Sequence, residues 1–96
     1  MERSVEQVLS RAWRLDPQVA LRPEPFGALA YHFGSRRLSF LKSPKLAAVV
    51  NGLAGQPDAA AACRAAGVSD SELASYGRAL AALADRGMIC EAQQEG

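Results

Sequence analysis

The stretch Phe26–Lys42, FGALAYHFGSRRLSFLK, contains two short alternating runs that meet at Gly34-Ser35. Alternation with a period of two is typical of a half-buried β-strand, and a Gly-Ser pair between two such runs predicts a β-hairpin. Gly34 would supply the positive φ that the first position of a two-residue turn requires. We expect this hairpin to organise the rest of the fold.

The turn position also predicts which side chains share a face of the hairpin. With a two-residue turn, Tyr31 lies opposite Leu38 on an apolar face. Leu29 and Phe40 form the next pair on that face. A four-residue loop from Gly34 to Arg37 would shift the pairing by two and leave both faces unchanged. Because an isolated hairpin is marginal in water, we expect the following helices to cover the apolar face. The other face is mixed and carries Ala28, Ala30, His32, Arg37, Ser39 and Leu41.

Outside the hairpin, periodicity and capping residues predict one further strand and four helices. In chain order these are a helix over 4–14, a strand over 19–22 that Pro23 ends, a helix from Pro44 that ends by Gly55, an alanine-rich helix over 58–66, and a helix over 70–86. Trp13 is expected to pack into the core. Ser69 and Glu72 are spaced as a capping box for the last helix. Residues 88–90 form either a fourth strand or a tail packed on the core.

This order of elements predicts an α+β fold, specifically a winged helix-turn-helix with a three-stranded antiparallel sheet followed by three helices. We expect the winged-helix domain to span residues 17–90. An N-terminal helical segment, 1–16, precedes it, and a disordered tail, 91–96, follows it.

Length and composition exclude several classes of protein. The chain has 96 residues, of which 49% are hydrophobic and 22% charged, as in a single small globular domain. No apolar run approaches the roughly 20 residues that cross a bilayer, and the N-terminus lacks the apolar core of a signal peptide, so we expect a cytoplasmic protein without a membrane partner. Two distant cysteines and one histidine make a structural zinc site implausible.

Charge is distributed unevenly along the chain. Residues 1–45 hold eight basic and four acidic side chains, whereas residues 46–96 hold three basic and six acidic ones. The hairpin half is therefore the basic half, and an acidic partner would be steered towards it.

The motifs of catalysis are absent from the sequence. There is no glycine-rich phosphate loop and no convincing Ser/His/Asp or Cys/His set, and His32 lies on a strand where a structural role is expected. We therefore predict a binding module and not an enzyme. One alternative is a winged-helix DNA-binding transcriptional regulator. Its recognition helix, 70–86, would have a net negative charge and Arg78 as its main base contact, which argues against this alternative.

The peptide-binding alternative uses the edge of the sheet. If the strand from Arg37 to Lys42 pairs on one side only, an extended peptide can add to its other edge beside the last helix. Apolar peptide positions would meet Leu41, Tyr76, Ala79 and Leu83, and acidic positions would meet Arg36, Arg37, Lys42 and Arg86.

Three segments carry a resemblance to a known family. They are RLDPQVALRPEPFGALAYHF (14–33), LSFLKSPKLAAVV (38–50) and LADRGMI (83–89). In these segments the chain resembles the PqqD-like RiPP recognition elements, small winged-helix domains that bind the leader of a ribosomally made precursor peptide. Within them it is most similar to the peptide chaperones of mycofactocin biosynthesis.

The resemblance implies a non-catalytic peptide chaperone without a cofactor. Its partners would be a precursor peptide leader and a radical S-adenosylmethionine (SAM) maturase, without nucleic acid, and its oligomeric state stays open. The leader would add as a strand between the third strand and the last helix. The residues expected to bind it are Arg36, Arg37, Leu38, Ser39, Phe40, Leu41, Lys42, Tyr76, Ala79, Leu83 and Arg86. Higher salt should weaken binding, and Leu41→Pro should impair it by deleting a backbone donor.

Overall fold

The computed structural model describes residues 4–92, which form an α+β fold with antiparallel sheets and four α-helices. The elements are α1 (Val5–Ser10), β1 (Trp13–Leu15), β2 (Val19–Glu24), β3 (Gly27–His32), β4 (Leu38–Leu41), α2 (Pro44–Gly52), α3 (Ala59–Ala65), α4 (Leu73–Asp85) and β5 (Ile89–Glu91). Short 3-10 turns at Leu53–Gly55 and Asp70–Glu72 follow α2 and precede α4. Within residues 4–92, no helix has the length and apolar character needed to cross a membrane.

The strands form two sheets. The larger sheet has the order β2-β3-β4, and the smaller one joins β1 to β5. The predicted hairpin register is confirmed, because Tyr31 pairs with Leu38 and Leu29 pairs with Phe40. Of the two alternatives for residues 88–90, a strand is observed, but it pairs with β1 in the smaller sheet and not with the hairpin.

The predicted two-residue turn at Gly34-Ser35 is wrong, although its register is right. The last hairpin pair is His32 with Arg37, since the His32 N–H donates to the Arg37 carbonyl at 2.9 Å. Residues 33–36 therefore form a four-residue loop. The positive φ of this loop, 62°, belongs to Arg36 and not to Gly34. Ser35 N–H donates to His32 Nδ1 at 3.0 Å, so the histidine side chain stabilises the loop.

The prediction that Pro23 ends the first strand is also wrong. β2 continues through Glu24, and Pro23 pairs with Ala28. The Phe33 N–H donates to the Gln18 carbonyl at 2.8 Å. Because hydrogen-bonded residues alternate along an antiparallel strand, the even-numbered residues of β2 direct their backbone N–H and C=O groups at β3, and the Pro23 nitrogen points away from it. An edge strand tolerates proline where its nitrogen points away from the ladder.

The helices cover the mixed face of the hairpin and not, as predicted, the apolar face. The inner face, defined by Ala28, Ala30, Ser39 and Leu41, is buried under the helices. The outer face, defined by Leu29, Tyr31, Leu38 and Phe40, is not covered by them, and Phe40 is 58% exposed whereas Leu41 is 0% exposed. The side chain of Ser43, two residues after Leu41, caps α2, and this helix contacts β3 and β4. The alanines of β3 leave room for that approach, whereas aromatic side chains would hold the helix away.

The N-terminal segment packs against the last helix. Gly77 of α4 lies so close to α1 that a Cβ there would come within 2.6 Å of Val5 Cγ1. The predicted helix over 4–14 is shorter than expected, and Trp13 begins β1 instead. Its side chain is buried, as predicted, and its Nε1 donates to the Val8 carbonyl at 2.9 Å. Residues 1–3 and 93–96, which include most of the predicted tail, lie outside the described residues.

Candidate functional site

One long edge of the larger sheet is open along β4. The His32 N–H donates to the Arg37 carbonyl, and hydrogen-bonded pairs recur at every second residue of an antiparallel ladder. The odd-numbered residues of β4 therefore exchange backbone hydrogen bonds with β3. The N–H and C=O groups of Leu38 and Phe40 therefore point away from β3. This edge has the unpaired donors and acceptors on which another strand can form.

The same alternation corrects the expectation for Leu41→Pro. Leu41 pairs with Ala28 inside the sheet, so its N–H is directed at β3 and not at the open edge. Proline at this position would break the hairpin itself. The open-edge donor of this part of β4 belongs to Phe40.

A groove of about 520 Å³ separates β4 from α4. Its walls are mainly apolar, and its lining residues are Leu38, Ser39, Phe40, Leu41, Lys42, Leu46, Ala79, Ala82, Leu83 and Arg86. Beyond Lys42 it continues into a smaller cleft of about 210 Å³ with Tyr76 and Ser75 in its wall. At the other end, Arg86 Nη2 donates to the Leu38 carbonyl across the groove at 3.4 Å.

Eight of the predicted site residues line this groove: Leu38, Ser39, Phe40, Leu41, Lys42, Ala79, Leu83 and Arg86. Tyr76 lines the adjoining cleft. Arg36 and Arg37 line neither cavity, because they lie in or next to the hairpin loop. Sequence reasoning missed Leu46 and Ala82. Ala82 follows Ala79 by three residues on α4, so helical spacing could have identified it. Leu46 recurs with Val49, Val50 and Leu53 at the spacing of a core-facing helix stripe, which predicts core packing and not a place in the groove.

The cations near the groove lack anionic partners within the described part of the chain. Ion pairs among residues 4–92 involve the cations Arg11, Arg22, His32, Lys45 and Arg64. Arg36, Arg37, Lys42 and Arg86 belong to none of these pairs. The Arg86 contact with the Leu38 carbonyl is long for a hydrogen bond and exposed, so it is easily exchanged for a contact with a ligand.

Ser39 provides a polar group among the apolar walls. Its Oγ is buried and has no hydrogen-bond partner within residues 4–92. Buried hydroxyl groups without partners are uncommon because their desolvation is uncompensated. Since Ser39 lines the groove, a polar atom of a bound ligand is one partner that this hydroxyl could take.

Among residues 4–92, neither a metal-binding cluster nor an activated Cys63 thiol is present. Across residues 4–92, no group of three or more His, Cys, Asp or Glu side chains could hold a metal ion. Burial raises the pKa of the Cys63 thiol, an effect that the nearby Arg64 only partly opposes, so the reactive thiolate is disfavoured. Glu72 accepts the Ser69 N–H at 3.1 Å, which confirms the predicted capping box, although it caps the 3-10 turn that precedes α4 and not α4 itself.

Comparison with known proteins identifies close relatives. The peptide chaperone MftB family matches residues 12–90. A peptide chaperone MftB of Mycobacterium ulcerans is 62% identical over 79 residues, which cover 82% of this chain and 72% of the relative. Proteins of the same name from Mycobacterium tuberculosis and Mycolicibacterium smegmatis are 57% and 54% identical, over 86% and 88% of this chain and 76% and 83% of the relatives. No solved structure gives a significant match.

These matches confirm the resemblance predicted from the sequence. They also confirm the prediction that the chain is not an enzyme, since its relatives are named as peptide chaperones, a non-catalytic role.

Proposed function

This chain belongs to the peptide chaperone MftB family, and we propose that it binds the leader of a ribosomally synthesised, mycofactocin-type precursor peptide and presents it to a radical SAM maturase. The observation that carries the proposal is the open edge of β4 beside an apolar groove. Both requirements of strand addition are present there, namely free backbone groups and a cavity for alternate side chains.

The leader would form a fourth strand next to β4. Its backbone would exchange hydrogen bonds with Leu38 and Phe40, the two residues whose polar groups point to the open edge. Side chains on one side of this strand would enter the groove against Ala79 and Leu83 of α4. A polar side chain among them could satisfy the Ser39 hydroxyl, so hydrogen-bonding capacity at one leader position would contribute to specificity.

Acidic residues of the leader would meet the cations around the groove. Lys42 and Arg86 lie at opposite ends of the β4 segment, and Arg36 and Arg37 lie at the hairpin loop. In the free chain, Arg86 donates a hydrogen bond to the Leu38 carbonyl. A leader N–H would take that acceptor, and the displaced guanidinium would be free to bind a leader carboxylate.

We also propose that the fold is a winged helix-turn-helix, in which the β3–β4 hairpin is the wing and α3 and α4 are the two helices. The turn between these helices contains Gly67 with a φ of 92°, and α3 packs against α4. A DNA-binding regulator would use α4 for recognition. Asp70 and Glu72 precede α4, which disfavours the approach of phosphates to this end of the helix.

Amide-resolved NMR titration of the labelled chain tests the proposal. The mycofactocin precursor leader should perturb β4 and residues 76–86, and a duplex DNA of arbitrary sequence at physiological salt should perturb neither. A response to DNA along α4, together with no response to the leader, would favour the regulator and overturn the chaperone proposal.

A further inference from the structure

The large exposed hydrophobic side chains of the described residues gather on one side of the molecule. Within residues 4–92 they are Phe26, Phe33, Leu38 and Phe40, with exposed fractions of 43%, 58%, 48% and 58%. Leu38 and Phe40 belong to the outer face. The Phe26 ring meets the Phe40 ring edge-on at 6.0 Å, and the Phe33 ring meets the Tyr31 ring at 5.3 Å. We call the outer face together with Phe26 and Phe33 the aromatic patch.

The composition of the aromatic patch indicates a binding surface. Single exposed hydrophobic residues are ordinary, but a contiguous group of large ones on a small domain marks an interaction surface. The groove proposed for the leader uses only Leu38 and Phe40 of this patch, since the other members do not line it. The aromatic patch is therefore a second surface, which shares only the β4 edge with the leader site.

Charge argues that the partner is not a second copy of this chain. Arg22 lies opposite Leu29 on the outer face, and Arg36 lies in the hairpin loop beside the patch. Glu24 forms an ion pair with Arg22 at 2.9 Å and offsets its charge. With Arg36 included, the surroundings of the patch keep a net positive charge. In a two-fold dimer the same patch meets itself, so these cations would approach each other. Acidic side chains around an apolar surface are the complementary chemistry.

The area of the sheet indicates that the patch is only part of a larger interface. Three strands about 4.8 Å apart and roughly 20 Å long span on the order of 300 Å², whereas a stable interface buries about 800 Å² on each partner. A leader added to β4 would widen the sheet by a fourth strand. The alternate side chains that do not enter the groove would then extend the outer face.

We propose that the aromatic patch is the docking surface for the modifying enzyme. The enzyme would present an apolar surface bordered by acidic side chains, and it would contact the patch and the outward side chains of the bound leader together. This inference rests on the proposed function, since the maturase and the strand-added leader are its partners. Because the leader contributes to the surface, it should raise the affinity of the chain for the enzyme, and the enzyme should raise the affinity for the leader by the same factor.

Two variants test the surface without altering the leader edge. Phe33→Ser removes an aromatic ring in the loop, and Arg22→Glu reverses a charge on β2, the strand farthest from the open edge of β4. Arg64→Glu on α3 is the charge-matched control away from the patch, and like Arg22 it is in an exposed ion pair. Circular dichroism and thermal unfolding verify that each variant folds.

The probes are the purified radical SAM maturase of mycofactocin biosynthesis and a fluorescently labelled precursor leader. Binding of the maturase is measured by biolayer interferometry with and without leader, and binding of the leader by fluorescence anisotropy. We expect both patch variants to weaken maturase binding about tenfold, with and without leader, and to leave leader binding within twofold of wild type. Arg64→Glu should behave as wild type in both measurements.

Different failures are distinguishable. Unchanged maturase affinity in both patch variants, with normal leader binding in the wild type, would overturn this inference alone. A wild-type chain that binds no leader would overturn the proposed function and the composite surface with it. Sedimentation velocity adds a further outcome: a dimer that Phe33→Ser converts to monomer, with maturase binding unchanged, would assign the patch to self-association and overturn the inference.

Discussion

The inner and outer faces of one hairpin have opposite roles. The outer face carries two leucines and two aromatic rings, yet the helices pack on the inner face, where Ala28 and Ala30 are buried next to Leu41. Side-chain size explains the choice, because α2 begins almost directly after β4 and needs small neighbours to approach the sheet. The more apolar face is thereby left for partners. Hydrophobicity alone does not reveal which face of a hairpin is core.

The largest effect that distinguishes the two faces is on stability. We expect Leu41→Ala to lower the free energy of unfolding by about 2–5 kcal/mol, because it leaves a cavity at a fully buried position. Phe40→Ala, its neighbour on the outer face, should cost less than about 1 kcal/mol. Urea unfolding followed by circular dichroism measures both. Equal losses would show that the outer face is part of the core.

Next in size is the effect of the open edge on leader binding. Phe40→Pro removes the backbone donor of the open edge and should weaken leader binding at least tenfold, or about 1.4 kcal/mol. Phe40→Ala keeps that donor and serves as the matched control for the loss of the ring. Fluorescence anisotropy with a labelled leader measures both. Wild-type affinity in a folded Phe40→Pro variant would contradict strand addition at β4.

The cations near the edge should give a smaller effect. Raising sodium chloride from about 50 to 500 mM shortens the range of electrostatic interactions to a few ångströms, and we expect it to weaken leader binding several-fold. The double variant Arg36→Gln/Arg37→Gln should reduce this dependence, whereas Arg64→Gln on α3 should preserve it. Salt-independent binding by the wild-type chain would contradict a role of these cations in leader binding.

The smallest expected effect concerns Glu72, which lies on neither face. Hydrogen bonds from the Ser69 N–H and hydroxyl, with a lesser contribution from Lys45, hold the pKa of Glu72 below its usual 4.5. Because the folded-state pKa is the lower one, the stabilisation is complete above pH 4.5 and is lost as the pH falls through the folded-state pKa.

Urea midpoints at pH 7 and pH 3 measure this loss. Glu72→Gln should show a slightly smaller decrease between the two pH values than the wild type. An identical decrease would exclude Glu72 as a source of the acid sensitivity. Asp58→Asn, at the N-cap of α3, is a control for general loss of carboxylate charge.

Much of the candidate site could be predicted from local pattern. Alternation around Gly34 predicted the register, and the open edge of β4 with the last helix predicted eight of the groove residues. The two-residue turn failed because a four-residue loop with Arg36 at positive φ gives the same pairing. Leu46 was missed because a residue of a helix stripe can pack on the core and line a groove at once.

The sequence by itself determined the periodicities, the caps and the family, because these depend on neighbouring residues or on identity to relatives. Strand register, the Ser69 cap and the basic character of the hairpin half belong to this group. Only the tertiary structure decided which face is buried, the pairing of β1 with β5, and the exposure of the aromatic patch. Those features depend on how closely distant segments approach, and a helix approaches a sheet over alanines more closely than over rings.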